Sequence, residues 1–144
     1  MSRKDGLSAA LLGINVAIIL WVAIFSREPD IRNGLYTEVH SLESLARDLQ
    51  RNGLVGNAAG NILLFVPFGL LYPGTGKWGR RWYRTVLMGF CLSLFNETVQ
   101  LITRRGFFDP ADLLLNSFGA LIGYGVYKAC RFFAYKVKKH AGKE

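Results

Sequence analysis

The chain has 144 residues, 51% of them hydrophobic, with a mean hydropathy of +0.21. That is room for one domain, and it is more apolar than a soluble domain of this size needs. The net charge is +8, but the basic residues flank long apolar blocks, which argues against nucleic acid and for a lipid surroundings.

Four apolar blocks stand out, at 7–25, 55–72, 85–102 and 113–133. Each approaches the ~20 residues a helix needs to cross a hydrocarbon core of about 30 Å. A soluble bundle would place polar residues at every third or fourth position, whereas the first block holds only Asn15 as a strongly polar side chain. Arg3 and Lys4 precede it as in a signal peptide. Its apolar core is too long for one, however, and no small-x-small site precedes Arg27, so an uncleaved anchor helix is expected.

In the segment 26–54 that follows, Leu35, Val39, Leu42, Leu45 and Leu49 share one helical face, with Glu38, Glu43, Arg47, Asp48 and Arg51 off it. Ser41 or Thr37 would cap its start and Gly53 its end. This spacing predicts an amphipathic helix in the interface, either a lid over the bundle end or a plain spacer. The second block carries Pro67, which removes a backbone bond and is expected to kink the helix. Pro73-Gly74 then turns the chain into a basic loop whose Trp78, Trp82 and Tyr83 suit a headgroup belt. Gly56-x-x-x-Gly60 and Gly119-x-x-x-Gly123 are spaced for close helix contact. Cys91 and Cys130 have no metal spacing and are expected as small core residues.

Arg3, Lys4, the 77–84 loop and the tail from Lys128 together hold twelve Lys/Arg, against six on the other side of the blocks. Basic residues mark the cytoplasmic side. The expected fold is therefore all-α: one domain over 1–144, a four-transmembrane-helix bundle with both termini cytoplasmic and the amphipathic helix outside. The basic tail would lie against anionic headgroups.

Placed by depth, the polar residues gather at the outer end. Asn57 and Asn61 open the second block; Glu97 and Gln100 close the third, with Arg104 and Arg105 just beyond; Asp109, Asp112 and Asn116 open the fourth. Their spacings are helical and put them on faces that would meet inside the bundle. A carboxylate within a membrane segment costs about 2.5–3.5 kcal/mol on insertion scales, so Glu97 reads as functional with a partner nearby, or as half of a buried salt bridge that fixes register. Glu97, Asp109 and Asp112 suit acid–base chemistry or a divalent cation, and the arginines suit an anion held bidentately. Asn57, Asn61, Gln100 and Asn116 would line the site. Alternatively the same groups only bind a polar headgroup or peptide. Asp109 also reads as a turn residue before Pro110, and Asp112 as a helix N-cap. Thr98 and Ser117 are near this level, but no histidine is, so a nucleophilic triad is not expected.

Asn61-Ile62-Leu63-Leu64-Phe65-Val66-Pro67-Phe68-Gly69, then Glu97-x-x-Gln100, Arg105, Asp109-x-x-Asp112 and Asn116-x-x-Gly119-x-x-x-Gly123 resemble the VanZ-like family, in family order, over about half of the chain. The resemblance implies a multi-pass protein of the bacterial cell membrane. It also implies an association with reduced susceptibility to teicoplanin-type lipoglycopeptides. Asn61, Glu97, Gln100, Arg105, Asp109, Asp112 and Asn116 are the matching polar positions. The expected function is action on, or binding of, an anionic lipid or lipid-linked cell-wall precursor at the outer leaflet. The alternatives are a factor that masks the antibiotic's membrane target and a small transporter subunit, which would need a polar path through the bundle.

Overall fold

The computed structural model describes residues 3–25, 57–103 and 108–141. Within them lie four α-helices and no strand: α1 (Arg3–Phe25), α2 (Asn57–Leu71), α3 (Trp82–Thr103) and α4 (Pro110–Ala141). Two 3-10 turns, Tyr72–Gly74 and Trp78–Arg80, join α2 to α3. The expected amphipathic helix, Arg104, Arg105 and the side chain of Asn57 lie outside what is described.

Two stretches are long and apolar enough to cross a membrane, Asp5–Val22 and Trp82–Thr103. Only 11% of the first and 33% of the second is buried, whereas the core helix of a soluble protein would be mostly covered. α2 and the turn after it form a shorter apolar stretch, Ala58–Gly74.

α3 is turned inside out. Its buried residues are Thr85, Gly89, Ser93, Asn96, Glu97 and Gln100, while Leu87, Phe90, Leu94, Phe95, Leu101 and Ile102 face outward. α4 follows the same pattern in its first half, burying Asp112, Asn116, Gly119 and Gly123 and exposing Leu114, Phe118, Leu121 and Ile122. Water would reverse both arrangements, because the hydrophobic effect drives apolar surface inward. In lipid the polar side chains are the ones that need partners, and the interior supplies them.

The interior joins through a glycine seam between α2 and α4. A Cβ on Gly69 would overlap the carbonyl of Ala120; one on Gly119, that of Ile62; one on Gly123, that of Val66. The two backbones are in direct contact there, which only glycine permits. The Gly119/Gly123 pair thus packs as its spacing predicts. Gly60 does not: it is exposed, with nothing within 4 Å of where its Cβ would be, and Gly69 takes the role on α2 instead. A small apolar core of Ile19, Phe65, Phe68 and Ala120 fills the middle of the bundle.

The fourth apolar block and its helix end at different places, and one further expectation, for the cysteines, is corrected. The fourth apolar block ends near residue 133, but α4 runs on to Ala141, because no Gly or Pro interrupts 126–141 and the closing Lys138, Lys139 and His140 complement the helix dipole. Its residues from Lys128 onward are exposed and outrun the bundle. Cys91 and Cys130 are exposed too, not core residues, since each falls on the outward stripe of its helix.

Candidate functional site

At the end of the bundle where α2 and α4 begin and α3 finishes, six polar side chains line one cleft. They are Asn61 from α2, Asn96, Glu97 and Gln100 from α3, and Asp112 and Asn116 from α4. Ile19, Val22, Leu64 and Phe65 complete the wall, and the cavity measures about 50 Å³. Glu97 is 2% exposed and Asp112 7%, and a carboxylate so placed is costly unless hydrogen-bonded.

Both carboxylates have partners. Glu97 Oε2 accepts the backbone N–H of Asp109 at 2.8 Å. Asp112 Oδ1 accepts from Asn61 Nδ2, tying α4 to α2. The start of α4 explains the arrangement. Asp109 Oδ1 accepts the N–H of Ala111 at 2.8 Å, and the Asp112 N–H reaches the Asp109 carbonyl at 3.1 Å. Asp109 is therefore the N-cap, Pro110 the first helical residue and Asp112 the third. In a capping box the acidic third residue folds back onto the cap's own N–H. Here Glu97 takes that N–H from across the bundle, and Asp112 is released to reach Asn61.

The expectation that Asp112 is the N-cap is thus corrected: the cap lies three residues earlier, where proline can follow it. The trio of Glu97, Asp109 and Asp112 as a divalent-cation site is not assembled either. Asp109 turns its carboxylate back onto its own helix and does not line the cleft. Among the described residues, no group of three or more His, Cys, Asp or Glu stands ready to hold a metal ion. The other expected positions with described side chains, Asn61, Glu97, Gln100, Asp112 and Asn116, do come together.

Two polar residues escaped the sequence reading. Asn96 lines the cleft beside Glu97, and Ser93 lies below it, its Oγ accepting from Asn116 Nδ2 at 2.8 Å. The signal was present as an i, i+3, i+7 stripe, Ser93–Asn96–Gln100, on the same side of α3 as Glu97. Thr98 and Ser117 bond back to their own helix, at Leu94 O and Leu113 O, and offer no nucleophile to the cleft. Among the described residues, Oδ1 of Asn15, Asn96 and Asn116 meets no donor although the side chains are buried. Each such bare acceptor costs about 1–3 kcal/mol.

One to two turns further along the helices, the core of Ile19, Phe65, Phe68 and Ala120 closes the cleft from beneath. No curated protein and no solved structure matches the chain. The sequence pattern of the VanZ/LLP1 family does match, over residues 12–133, a span that holds α2, α3, every residue of the cleft and most of α1 and α4. The chain therefore belongs to the VanZ/LLP1 family, and its two long apolar helices suggest a membrane protein.

Proposed function

We propose that this chain is a multi-pass protein of the bacterial cell membrane whose cleft receives the headgroup of an envelope lipid or lipid-linked cell-wall precursor at the outer leaflet. One observation carries the reading. Six polar side chains from three helices converge on one cleft, while α3 and the first half of α4 turn mostly apolar side chains outward. Polar groups within membrane helices face the interior and mark ligand sites. Four spans with both termini cytoplasmic are supported by the bias of Lys and Arg toward the 77–84 loop and the tail. Arg104 and Arg105 follow α3 directly in sequence, and would meet the anionic part of such a headgroup.

Binding is favoured over covalent catalysis, since Thr98 and Ser117 are bonded to their own helices and Ser93 Oγ is engaged by Asn116. A second reading, acid–base action on the bound headgroup, draws on Glu97 and Asp112, two buried carboxylates that line one cavity. Transport fits poorly with the apolar core beneath the cleft. In either favoured reading, protection against a lipid-tailed glycopeptide would follow from occupying or altering the drug's membrane target.

The test is the inhibitory concentration of teicoplanin against vancomycin in a sensitive Gram-positive host. It would express wild type, Asp112→Asn or Glu97→Gln at matched membrane levels. Selective protection by wild type that both variants lose assigns the function to the cleft. Equal protection by all three makes the carboxylates structural, and no protection by any removes the resistance role. Protection kept by Asp112→Asn but lost by Glu97→Gln would favour proton transfer through Glu97. For topology, a cysteine at Ser44 in a Cys91→Ser, Cys130→Ser background should react with an impermeant maleimide on intact cells; reaction at Thr75 instead would invert the arrangement.

A further inference from the structure

The end of the bundle opposite the cleft gathers cations in stretches that carry no acid. Lys77, Arg80, Arg81 and Arg84 lie on the connection from α2 into the first turn of α3, and Lys128 and Arg131 lie on α4. Residues 66–96 and 113–143 contain no Asp or Glu. Among the described residues Asp5, in the first turn of α1, is the one acid at that end. A single bond ties the connection to α4: Tyr124 Oη donates to the carbonyl of Arg80 at 2.7 Å. Tyr124 therefore faces the connection. Tyr127, Lys128 and Arg131, three, four and seven residues on, share its side of α4.

Aromatic rings set the guanidinium groups in place. Arg84 is half-buried, 5.1 Å from the centre of the Trp78 ring and 5.7 Å from that of Tyr83. Arg81 Nη1 donates to Tyr83 Oη at 3.3 Å. Two guanidinium groups thus meet at one phenol. On α4, Arg131 Nη1 donates to Tyr127 Oη at 3.2 Å, with the guanidinium 5.8 Å from the ring centre. Like charges held together repel, an anion between them relieves that, and arginines already positioned lose less freedom in binding it.

The surroundings set the source of the anion. Trp78, Trp82 and Tyr83 are exposed, as aromatic side chains at a membrane interface are. Tyr83, Leu87, Phe90 and Leu94, at i, i+4, i+7 and i+11, form one exposed stripe along α3. An apolar track therefore leads away from the arginines along the bundle. A phosphate group carrying an acyl chain matches both parts.

We propose that this end of the bundle binds an anionic glycerophospholipid, its phosphodiester held by Arg81 and Arg84 with Lys128 and Arg131 facing it from α4, and an acyl chain laid along Leu87, Phe90 and Leu94. Guanidinium groups suit the phosphate because their planar fork meets two oxygens at once. The site is separate from the cleft and goes beyond the headgroup reading given to it.

The experiment uses the full chain, delipidated in detergent. Bound lipid is counted by native mass spectrometry with phosphatidylglycerol and phosphatidylcholine of matched acyl chains. Phosphatidylglycerol is expected to be retained at least about tenfold over phosphatidylcholine. Arg81→Gln should lower that ratio about threefold, and Arg81→Gln with Arg84→Gln should bring it to within about twofold of unity. Lys138→Gln with Lys139→Gln removes the same charge from the exposed tail and should leave the wild-type ratio within about twofold. Without lipid the double arginine variant should melt within about 5 °C of wild type, and phosphatidylglycerol should raise the melting temperature of wild type alone. That separates loss of binding from loss of fold.

Equal loss from the arginine and the lysine pairs would mean a diffuse basic field and overturn the site, as would a wild type that does not discriminate the lipids. Displacement of phosphatidylglycerol by glycerol phosphate, with an equal rise in melting temperature, would overturn the lipid and leave a site for a free phosphate. None of these outcomes touches the cleft, which the antibiotic test decides.

Discussion

The two ends of this bundle use polar side chains for opposite purposes. At the cleft end their hydrogen bonds run between helices: Asn61 to Asp112, Asn116 to Ser93, and Glu97 to the backbone at the head of α4. At the other end most of them stay within one short stretch of chain. Thr75 bonds Tyr72 O, Thr85 bonds Gly79 O, and Arg81 meets Tyr83, with Tyr124 to Arg80 O as the one long-range tie among these. Arg84 lies 5.1 Å from the centre of the Trp78 ring, and Trp78, Trp82 and Tyr83 are exposed around it. Residues of similar polarity therefore have different energetic meaning. In the buried end each broken bond strands a partner in a low dielectric, while at the other end solvent or headgroups replace it, except at the buried Thr85–Gly79 bond.

Substitutions can break or sharpen that contrast. The largest effect is expected at the glycine seam that holds the interior together. Gly123→Ala and Gly119→Ala meet backbone that cannot move aside, so each should cost about 3 kcal/mol or more. Gly60→Ala meets nothing and should stay within about 0.5 kcal/mol. Unfolding of the purified protein in a mixed-detergent titration measures all three, and equal stability among them would refute the seam. Next is Asp112→Ala, which strands Asn61 and should lose about 1–3 kcal/mol in the same titration. Asp112→Asn should lose less, because an acceptor for Asn61 remains; a full-size loss would mean that the charge, not the bond, holds the helices.

Ser93→Ala leaves Asn116 Nδ2 without its acceptor, for about 1 kcal/mol. The smallest effects belong to the exposed end. Arg81→Ala and Tyr83→Phe remove a contact open to solvent and should each shift stability by less than about 0.5 kcal/mol. A loss there as large as that of Asp112→Ala would erase the difference between the two ends.

Much of this was legible in the chain. Runs of apolar residues placed the helices, since length and hydropathy alone decide where a helix of that kind can form. Asn61, Glu97, Gln100, Asp112 and Asn116 could be gathered by depth because each lies near the same end of its block. Asn96 and Ser93 were missed for a physical reason. One asparagine or serine in an apolar helix is ordinary, and only the facing helix reveals that Ser93 is what Asn116 bonds. The cap at Asp109 was harder still. Asp109 and Asp112 both precede apolar residues, and what decides between them is Glu97, twelve residues before Asp109 and across the bundle. The packing of Gly69 rather than Gly60 was equally out of reach, because spacing tells which glycines share a face but not which face α4 meets. The run of α4 past 133 shows a further limit: hydropathy ends where the apolar surroundings end, and a helix does not have to.

The seam between α2 and α4 also has a genetic consequence. What Gly119 and Gly123 touch is main chain, and main chain is the same whatever residue a codon specifies. A bulky substitution in a side-chain interface can often be rescued by trimming the neighbour. Here the neighbouring atoms at Ile62 and Val66 are carbonyls, which every replacement at those two positions would restore. A suppressor screen started from Gly123→Ala should therefore return few compensating changes at the point of contact. Those it does return should lie where the helices can be moved bodily apart.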